Sequence, residues 1–326
     1  MTGNGTETTI GLVLSAGGFS GAAHHSGVID ALCKATGWDS RLSDVIVGTS
    51  AGSLTAISLR AGISPSDLAS YYTGDSMSSE GQKIVDRVTT SLKMPAPGLS
   101  TSSKIPSKPT LLLKELFLGG RPRPMVAITG LLPLGEADGS SFAERTSQIH
   151  PEPWPDKPTW LCAVDLDTGK RSVFGRDDIK TNVGSAVQAS SAIPGRFSPT
   201  NINGKRYVDG GVHSVTNSDL LAALQLDLVI ISSSSTLVAS QEKNSLSVAW
   251  NSRTLHREIE QIRSNGTEVL VFEPTFSDLQ ARNDLEPTKE NAKEIFKMSQ
   301  TSTFARLAKP QSNKARSLLE KAILQI

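Results

Sequence analysis

Twice in the first sixty residues a short apolar run stops at glycine and a helical pattern begins. The run Ile10 to Ser15, IGLVLS, has the length and character of a buried strand. It breaks at Gly17, Gly18 and Gly21, and a helix with apolar positions Val28, Ile29, Ala31 and Leu32 is expected to follow. A second strand, Val45 to Val47, runs straight into GTSAGS, after which Leu54, Ile57, Ser58 and Leu59 carry another helix to about Gly62. Strand, turn and helix, repeated in that order, predict an α/β fold with a parallel sheet.

The middle of the chain reads differently. Residues 91–158 hold eleven of the 17 prolines, a density that opposes regular core elements and predicts an insertion or lid. Two apolar patches lie within it, Leu111 to Leu118 and Met125 to Leu134. Regular structure is expected again at a strand, Trp160 to Asp165, a DTGK turn and a hairpin partner, Arg171 to Phe174. A helix over Val183 to Ala192 is stopped by Pro194. Tyr207 and Val208 lead into Asp209-Gly210-Gly211. A short helix, Asp219 to Leu226, then precedes a strand at Leu228 to Ser232. Beyond the serine run Ser232 to Ser235, a helix (Ser247 to Ser264), a strand (Glu268 to Phe272) and two helices (Lys289 to Arg306, Asn313 to Leu324) complete the pattern. The expected organisation is a catalytic core over 8–232, with 91–158 as its lid, and an α/β extension over 233–326 packed on the same domain.

Charge and cysteine content narrow the function classes. Thirty-three basic and 32 acidic side chains leave a net charge of +1, with no field to attract nucleic acid. The basic residues are scattered and no aromatic stripe accompanies them. Cys33 and Cys162 have no Cys or His neighbour at metal-ligand spacing, so no zinc site is expected. Two buried free thiols fit a reducing cytoplasm. The opening MTGNGTETT has neither the basic nor the apolar region of a signal peptide. The longest apolar stretch, around Met125 to Leu134, is shorter than the roughly 20 residues of a transmembrane helix.

The chemistry sits in the two glycine turns. Gly48-Thr49-Ser50-Ala51-Gly52 is a G-x-S-x-G between an apolar strand and an amphipathic helix. There the serine occupies a strained strand-to-helix turn that exposes its hydroxyl, and the glycines avoid collision with neighbouring backbone. A plain βα turn with a capping serine gives the same pattern. The turn Ser15 to Gly21 would aim backbone N–H groups at an anion. In acyl transfer that anion is the tetrahedral oxyanion, and each such donor is worth about 3–4 kcal/mol. A nucleotide cradle fits worse: no G-K-[ST] follows, Ala16 holds the first position of a G-x-G-x-x-G, and the second strand ends in GTS rather than an acidic residue.

A nucleophilic serine needs a base. Of His24, His25, His150, His213 and His256, His256 completes a Ser–Asp–His order with Asp209. Two features oppose that triad: one clear strand precedes Ser50, and His256 sits among charges in LHREIEQIR. His213 lies four residues past Asp209, and His24 and His25 are expected to open the helix and line the glycine turn. Asp209 ends an apolar strand and precedes two glycines, so its carboxylate is free to act as the base itself. The competing reading of D-G is a type I′ hairpin turn.

Together these blocks resemble the patatin-like phospholipase family. LSAGGFSGAAHHSGVIDAL resembles its oxyanion segment, GTSAGS its nucleophile elbow, YVDGG its D-G-[AG] segment and ASSAIPGRFSP the block between elbow and aspartate. WLCAVDLDTGKRSVF resembles its core, so the likeness covers residues 10–62 and about 159–232. The resemblance implies a three-layer α/β/α sandwich with a mainly parallel sheet, and hydrolysis of lipid acyl esters without metal or cofactor. It implies that Ser50 is the nucleophile, that Asp209 is the base, and that the amides of Gly17, Gly18 and Phe19 form the oxyanion hole. It also implies that Gly48, Thr49, Ala51, Gly52, Gly210 and Gly211 shape the turns. Ala16 stands where the family has its first loop glycine, and Ser20 where it has arginine. The expected partner is a lipid or fatty acyl ester, met in the cytoplasm with peripheral membrane contact. The alternatives are a catalytically weak lipid-binding protein of the same fold and a Ser–His–Asp esterase.

Overall fold

The computed structural model describes residues 7–94, 98–99, 101–117, 124–237, 245–283 and 288–325. Strands β1 (Ile10–Leu14) and β2 (Val45–Thr49) lie parallel, Leu14 opposite Gly48, with helix α1 (Gly18–Thr36) as their crossover. Both strands are buried along their whole length, which is why their sequences are continuously apolar rather than alternating. Helices α2 (Ala51–Arg60), α3 (Pro65–Thr73), α4 (Ser79–Val85), α5 (Thr110–Phe117), α6 (Pro124–Leu131) and α7 (Ser140–Ile149) lead to β3 (Thr159–Asp165). Then come β4 (Arg171–Phe174), α8 (Val183–Ser190), β5 (Thr200–Ile202), β6 (Lys205–Asp209), β7 (Leu228–Ser232), α9 (Leu246–Arg263) and β8 (Glu268–Phe272). Helices α10 (Phe276–Asn283), α11 (Lys289–Leu307) and α12 (Asn313–Ile323) close the chain.

The sheet is mixed and mostly parallel. Its hydrogen-bonded neighbours run β5-β6-β3-β2-β1-β7-β8, with β4 also on β3. One face is covered by α1, α2, α8 and α12 through Ile29, Leu32, Ile57, Val187 and Leu319. The other is covered by α9 and the 3-10 segment Ser218–Leu224, through Leu255, Ile259, Ile262, Leu220 and Leu221. Three layers result, as the resemblance implies.

Three expectations change. The α-helix expected over Asp219 to Leu226 is instead a 3-10 segment, entered and left through the left-handed residues Asn217 and Gln225. The first crossover helix begins at Gly18 rather than after Gly21, so most of the glycine turn is its first turn. Within 91–158, α7 belongs to the main core: Phe142 is buried with its ring edge-on to Phe197, centroids 5.5 Å apart. Helices α5 and α6 form a separate cap. Leu111 and Val126 are buried against Val164, Leu166, Val208 and Val212, while Met125, Ile128, Leu131 and Leu134 are exposed. Leu118, expected in the first of the two apolar patches, lies outside the described residues.

Candidate active site

β3 is long enough to hold three partners, and their registers bring two chain ends together. Strand β4 pairs with Leu161–Val164 along one edge. Strand β2 therefore takes the other edge, and leaves it at Thr49 opposite Cys162. Strand β6 runs antiparallel to β3 and ends at Asp209 opposite the next residue, Ala163. Since β4 also pairs Ala163, β6 lies on the edge that β2 has just vacated. The two strands meet head-on, and Ser50 and Asp209 are the residues at which each turns out of the sheet.

The turn at Ser50 has the strain expected of an elbow. Its φ of 54° and ψ of −119° lie outside the ordinary regions for a residue with a side chain, a cost of about 1–3 kcal/mol. Surrounding hydrogen bonds hold it there. The Ser50 amide donates to the Ser190 hydroxyl at 2.9 Å, and Ser190 in turn donates to the Cys162 carbonyl at 2.7 Å. The Ser53 hydroxyl donates to the Ser50 carbonyl at 2.6 Å. Both motif glycines are required sterically. A Cβ at Gly52 would stand 2.1 Å from the Leu14 carbonyl oxygen, and one at Gly48 would stand 2.8 Å from the Gly52 oxygen. Ala51 opens α2 beside α1, so that a Cβ on Gly21 would touch it at 3.4 Å.

Asp209 is not in a hairpin turn. It caps a 3-10 turn, Gly210–Val212, by accepting the Gly211 amide at 2.7 Å. Gly210 passes so close to β3 that a Cβ would stand 2.3 Å from the Cys162 oxygen, and Gly211 faces the Ala16 methyl. Burial pushes the Asp209 carboxyl up to about 6, against hydrogen bonds from the Ser50 hydroxyl and the Gly211 amide that favour its charge. An ordinary carboxylate is a poor proton acceptor. This one is ionised at neutral pH and about a hundredfold more basic.

The glycine turn lies against the same site. The first bond of α1 runs from the Gly21 amide to the Gly17 carbonyl at 2.9 Å, so the amides of Gly18 and Phe19 stand ahead of the helix ladder. Gly18, at φ 55°, lies in the left-handed region that favours glycine. Ala16 does not have a positive φ, so alanine fits where the family has glycine. The Ala16 amide donates to the Val215 carbonyl at 2.7 Å, tying this turn to the segment after Asp209.

His24 and His25 are buried in the second turn of α1, and His25 lines the glycine turn through the Ser15 carbonyl. The Nε2 of His25 donates to the Ser15 carbonyl at 2.8 Å, which makes Nδ1 the acceptor of the Ser232 hydroxyl, also at 2.8 Å. The Nδ1 of His24 meets the Ser299 hydroxyl at 2.8 Å. His150 ends α7 and bonds the Glu152 carbonyl, and His256 is exposed on α9, as its charged surroundings predict. Cys162 is fully buried and its thiol is pushed up to about 12, whereas Cys33 is only half-buried.

Ser190 and Asn217 have no role in the sequence reading. Ser190 lies in the quoted block ASSAIPGRFSP, but a serine in a helical pattern carries no signal of its own. Asn217 joins the site only through long-range pairing.

A family model of patatin-like phospholipases matches residues 12–222 of this chain. Among solved structures, that of VipD from Legionella pneumophila matches with a TM-score of 0.42 at 13% identity. The match covers 92% of this chain and 66% of that one.

Proposed function

Since this chain belongs to the patatin-like phospholipase family, we propose that it hydrolyses fatty acyl esters of lipids with Ser50 as nucleophile and Asp209 as the base. The carrying observation is the head-on meeting of β2 and β6, which sets a strained, buried serine against a buried carboxylate of raised basicity. In this reading Asp209 accepts the Ser50 proton as Oγ bonds to the acyl carbon. The amides of Gly17, Gly18 and Phe19 receive the charge that develops on the carbonyl oxygen. Collapse of the tetrahedral species breaks the ester bond, and the alcohol leaves with the proton from Asp209. Water then attacks the acyl-serine, Asp209 takes its proton, and Ser50 regains a proton as the fatty acid departs.

The reading extends to the lipid surface. Met125, Ile128, Leu131 and Leu134 are exposed on and beside α6, with Leu99 and Ile105 exposed nearby in the same proline-rich region. The cap adjoins the site: Gly195, five residues after Ser190, packs against Leu99 and Leu132. An apolar surface beside an ester-cleaving site favours peripheral contact with a membrane or micelle. The unpaired thiols Cys33 and Cys162 favour a reducing, cytoplasmic setting for it.

The test is a panel of phospholipids, lysophospholipids and triglycerides incubated with wild type and Ser50→Ala, read by mass spectrometry of released fatty acid. A fluorophosphonate probe should label wild type and leave Ser50→Ala unlabelled. Labelling without lipid turnover would favour the lipid-binding alternative.

A further inference from the structure

The serine run Ser232 to Ser235 plays no part in the scheme above, yet two of its hydroxyls reach the glycine turn. Ser234 and Ser235, just beyond β7, each donate to the Ala16 carbonyl at 3.0 Å, and the Ser15 hydroxyl donates to the same oxygen at 2.9 Å. The Ser234 amide donates to the Ser15 hydroxyl at 2.9 Å, which fixes that hydroxyl as well.

The consequence follows from peptide geometry. The Ala16 carbonyl and the Gly17 N–H belong to one planar trans peptide and point in opposite directions. Holding the oxygen on the β7 side therefore aims the Gly17 N–H the other way. Glycine makes such a restraint necessary. Gly17 and Gly18 permit the tight approach to α1, but they also leave the peptide little reason of its own to prefer one orientation over its flip. The fit is mutual: a Cβ on Gly17 would stand 2.0 Å from the Ser234 hydroxyl oxygen, so only glycine lets that hydroxyl come so near.

We propose that Ser234 and Ser235 are positioning residues that lock the Ala16–Gly17 peptide with its N–H turned toward Ser50. This rests on the reading of Ser50 as nucleophile and Gly17 as an oxyanion donor. Neither serine touches substrate; each acts through the Ala16 carbonyl. Their loss leaves only the Ser15 hydroxyl of the adjoining residue on the Ala16 carbonyl, lets the peptide turn over and removes a donor that matters only once negative charge develops, so kcat falls while substrate binding is spared.

The experiment compares wild type, Ser50→Ala, Ser234→Ala, Ser235→Ala, the double alanine variant and Ser235→Thr, all as the full chain, on a soluble short-chain ester. The double variant should lose about 10²–10³-fold in kcat with KM within about threefold, the size of effect seen for one oxyanion donor. The acid limb of its pH profile should not move, since Asp209 is untouched; a generally loosened site would shift it. Single variants should lose less, because two of the three hydroxyls remain on the Ala16 carbonyl, and Ser235→Thr should keep wild-type kcat. Ser235 is only half-buried, so its single variants stay informative even where the double variant misfolds. If Ser50→Ala is inactive but the serine variants keep kcat within about threefold, the hydrolase reading stands and the positioning role is overturned. If Ser50→Ala keeps its activity, the hydrolase reading fails and takes this proposal with it.

Discussion

The side-chain amide of Asn217 donates to the hydroxyl of Thr49 at 3.1 Å, joining the residue before Ser50 to the loop after Asp209. A buried polar network stands behind this bond. Arg171 donates to the Asn217 side-chain Oδ1 at 3.2 Å and grips Asp219 through both carboxylate oxygens, at 2.6 and 2.8 Å. Glu258, from α9, accepts the Thr216 hydroxyl, the Ser218 amide and the Ser218 hydroxyl at 2.6, 2.9 and 2.7 Å. The network clamps both turns of the site to one loop, so the separation of Ser50 and Asp209 depends on residues that touch neither.

Asn217→Ala should therefore cost both stability and turnover. It leaves the buried Thr49 hydroxyl and Ser214 carbonyl without their amide donor, about 1–3 kcal/mol. It also places alanine at φ 52°. Asn217→Gly relieves the backbone but not the hydrogen bonds, and should recover only part of the loss. Urea unfolding and ester turnover measure the two effects; wild-type values for both in Asn217→Ala would show that the clamp is idle.

Ser50→Ala and Asp209→Asn should fall together. The amide keeps the shape of the carboxylate but takes no proton, so each single variant is expected to lose about 10⁴-fold or more, and the double variant little beyond either. His213→Ala and His256→Ala should stay within about tenfold of wild type. A histidine variant that collapses to the Ser50→Ala level, with Asp209→Asn still active, would replace the dyad by a triad.

The elements that place the two turns were legible because each is local. Continuous apolar runs gave β1, β2 and β7, and G-x-S-x-G with its flanks marked the elbow; backbone approaches of 2.1 Å at Gly52 and 2.3 Å at Gly210 supply the physical reason. Short polar helices were not legible. Helix α3 carries a full capping box, Ser64 with Asp67 and Pro65 at its first position, but too few apolar residues to show a period. The meeting of Ser50 with Asp209 was inferred from chain order, the local setting of Asp209 and family likeness together, because a register along β3 has no local signature. Ser190, Asn217, Ser234 and Ser235 stayed hidden for the same reason: each acts on backbone or side chains more than a hundred positions away.

Polar replacements on the exposed face of the cap should separate lipid-surface binding from chemistry. Ile128 and Leu131 are exposed on α6, while Val126 on the same helix is buried. Ile128→Ser with Leu131→Ser should lower action on phospholipid vesicles by about tenfold or more, at roughly 0.8 kcal/mol for each buried CH₂ withdrawn from lipid. Turnover of a soluble short-chain ester should stay within about twofold. Equal losses on both substrates would mean that the face serves folding or the site, and not docking.

The buried Asp209 should leave its mark on both activity and stability. Only its ionised form accepts the Ser50 proton, so kcat/KM on a soluble ester should rise about tenfold per pH unit at acid pH and level off above about 6. Stability should move the opposite way. The carboxyl is raised to about 6 in the folded protein against an unfolded value near 3.8, so between these the folded state binds more protons than the unfolded. The contribution is therefore fully favourable below pH 4 and is lost as pH rises through 6. Above that the folded chain carries a buried charge that costs on the order of 2–3 kcal/mol. Asp209→Asn never acquires that charge, and its amide can still accept from the Gly211 amide. The inactive variant should thus be more stable than wild type by about 2–3 kcal/mol at pH 7.5, and the gap should nearly close at pH 4. Urea denaturation of both proteins at the two pH values gives the difference directly, and the shared titration of all other groups cancels. A gap that does not change with pH would mean that Asp209 titrates as an ordinary carboxylate, and the raised basicity assigned to the base would be wrong.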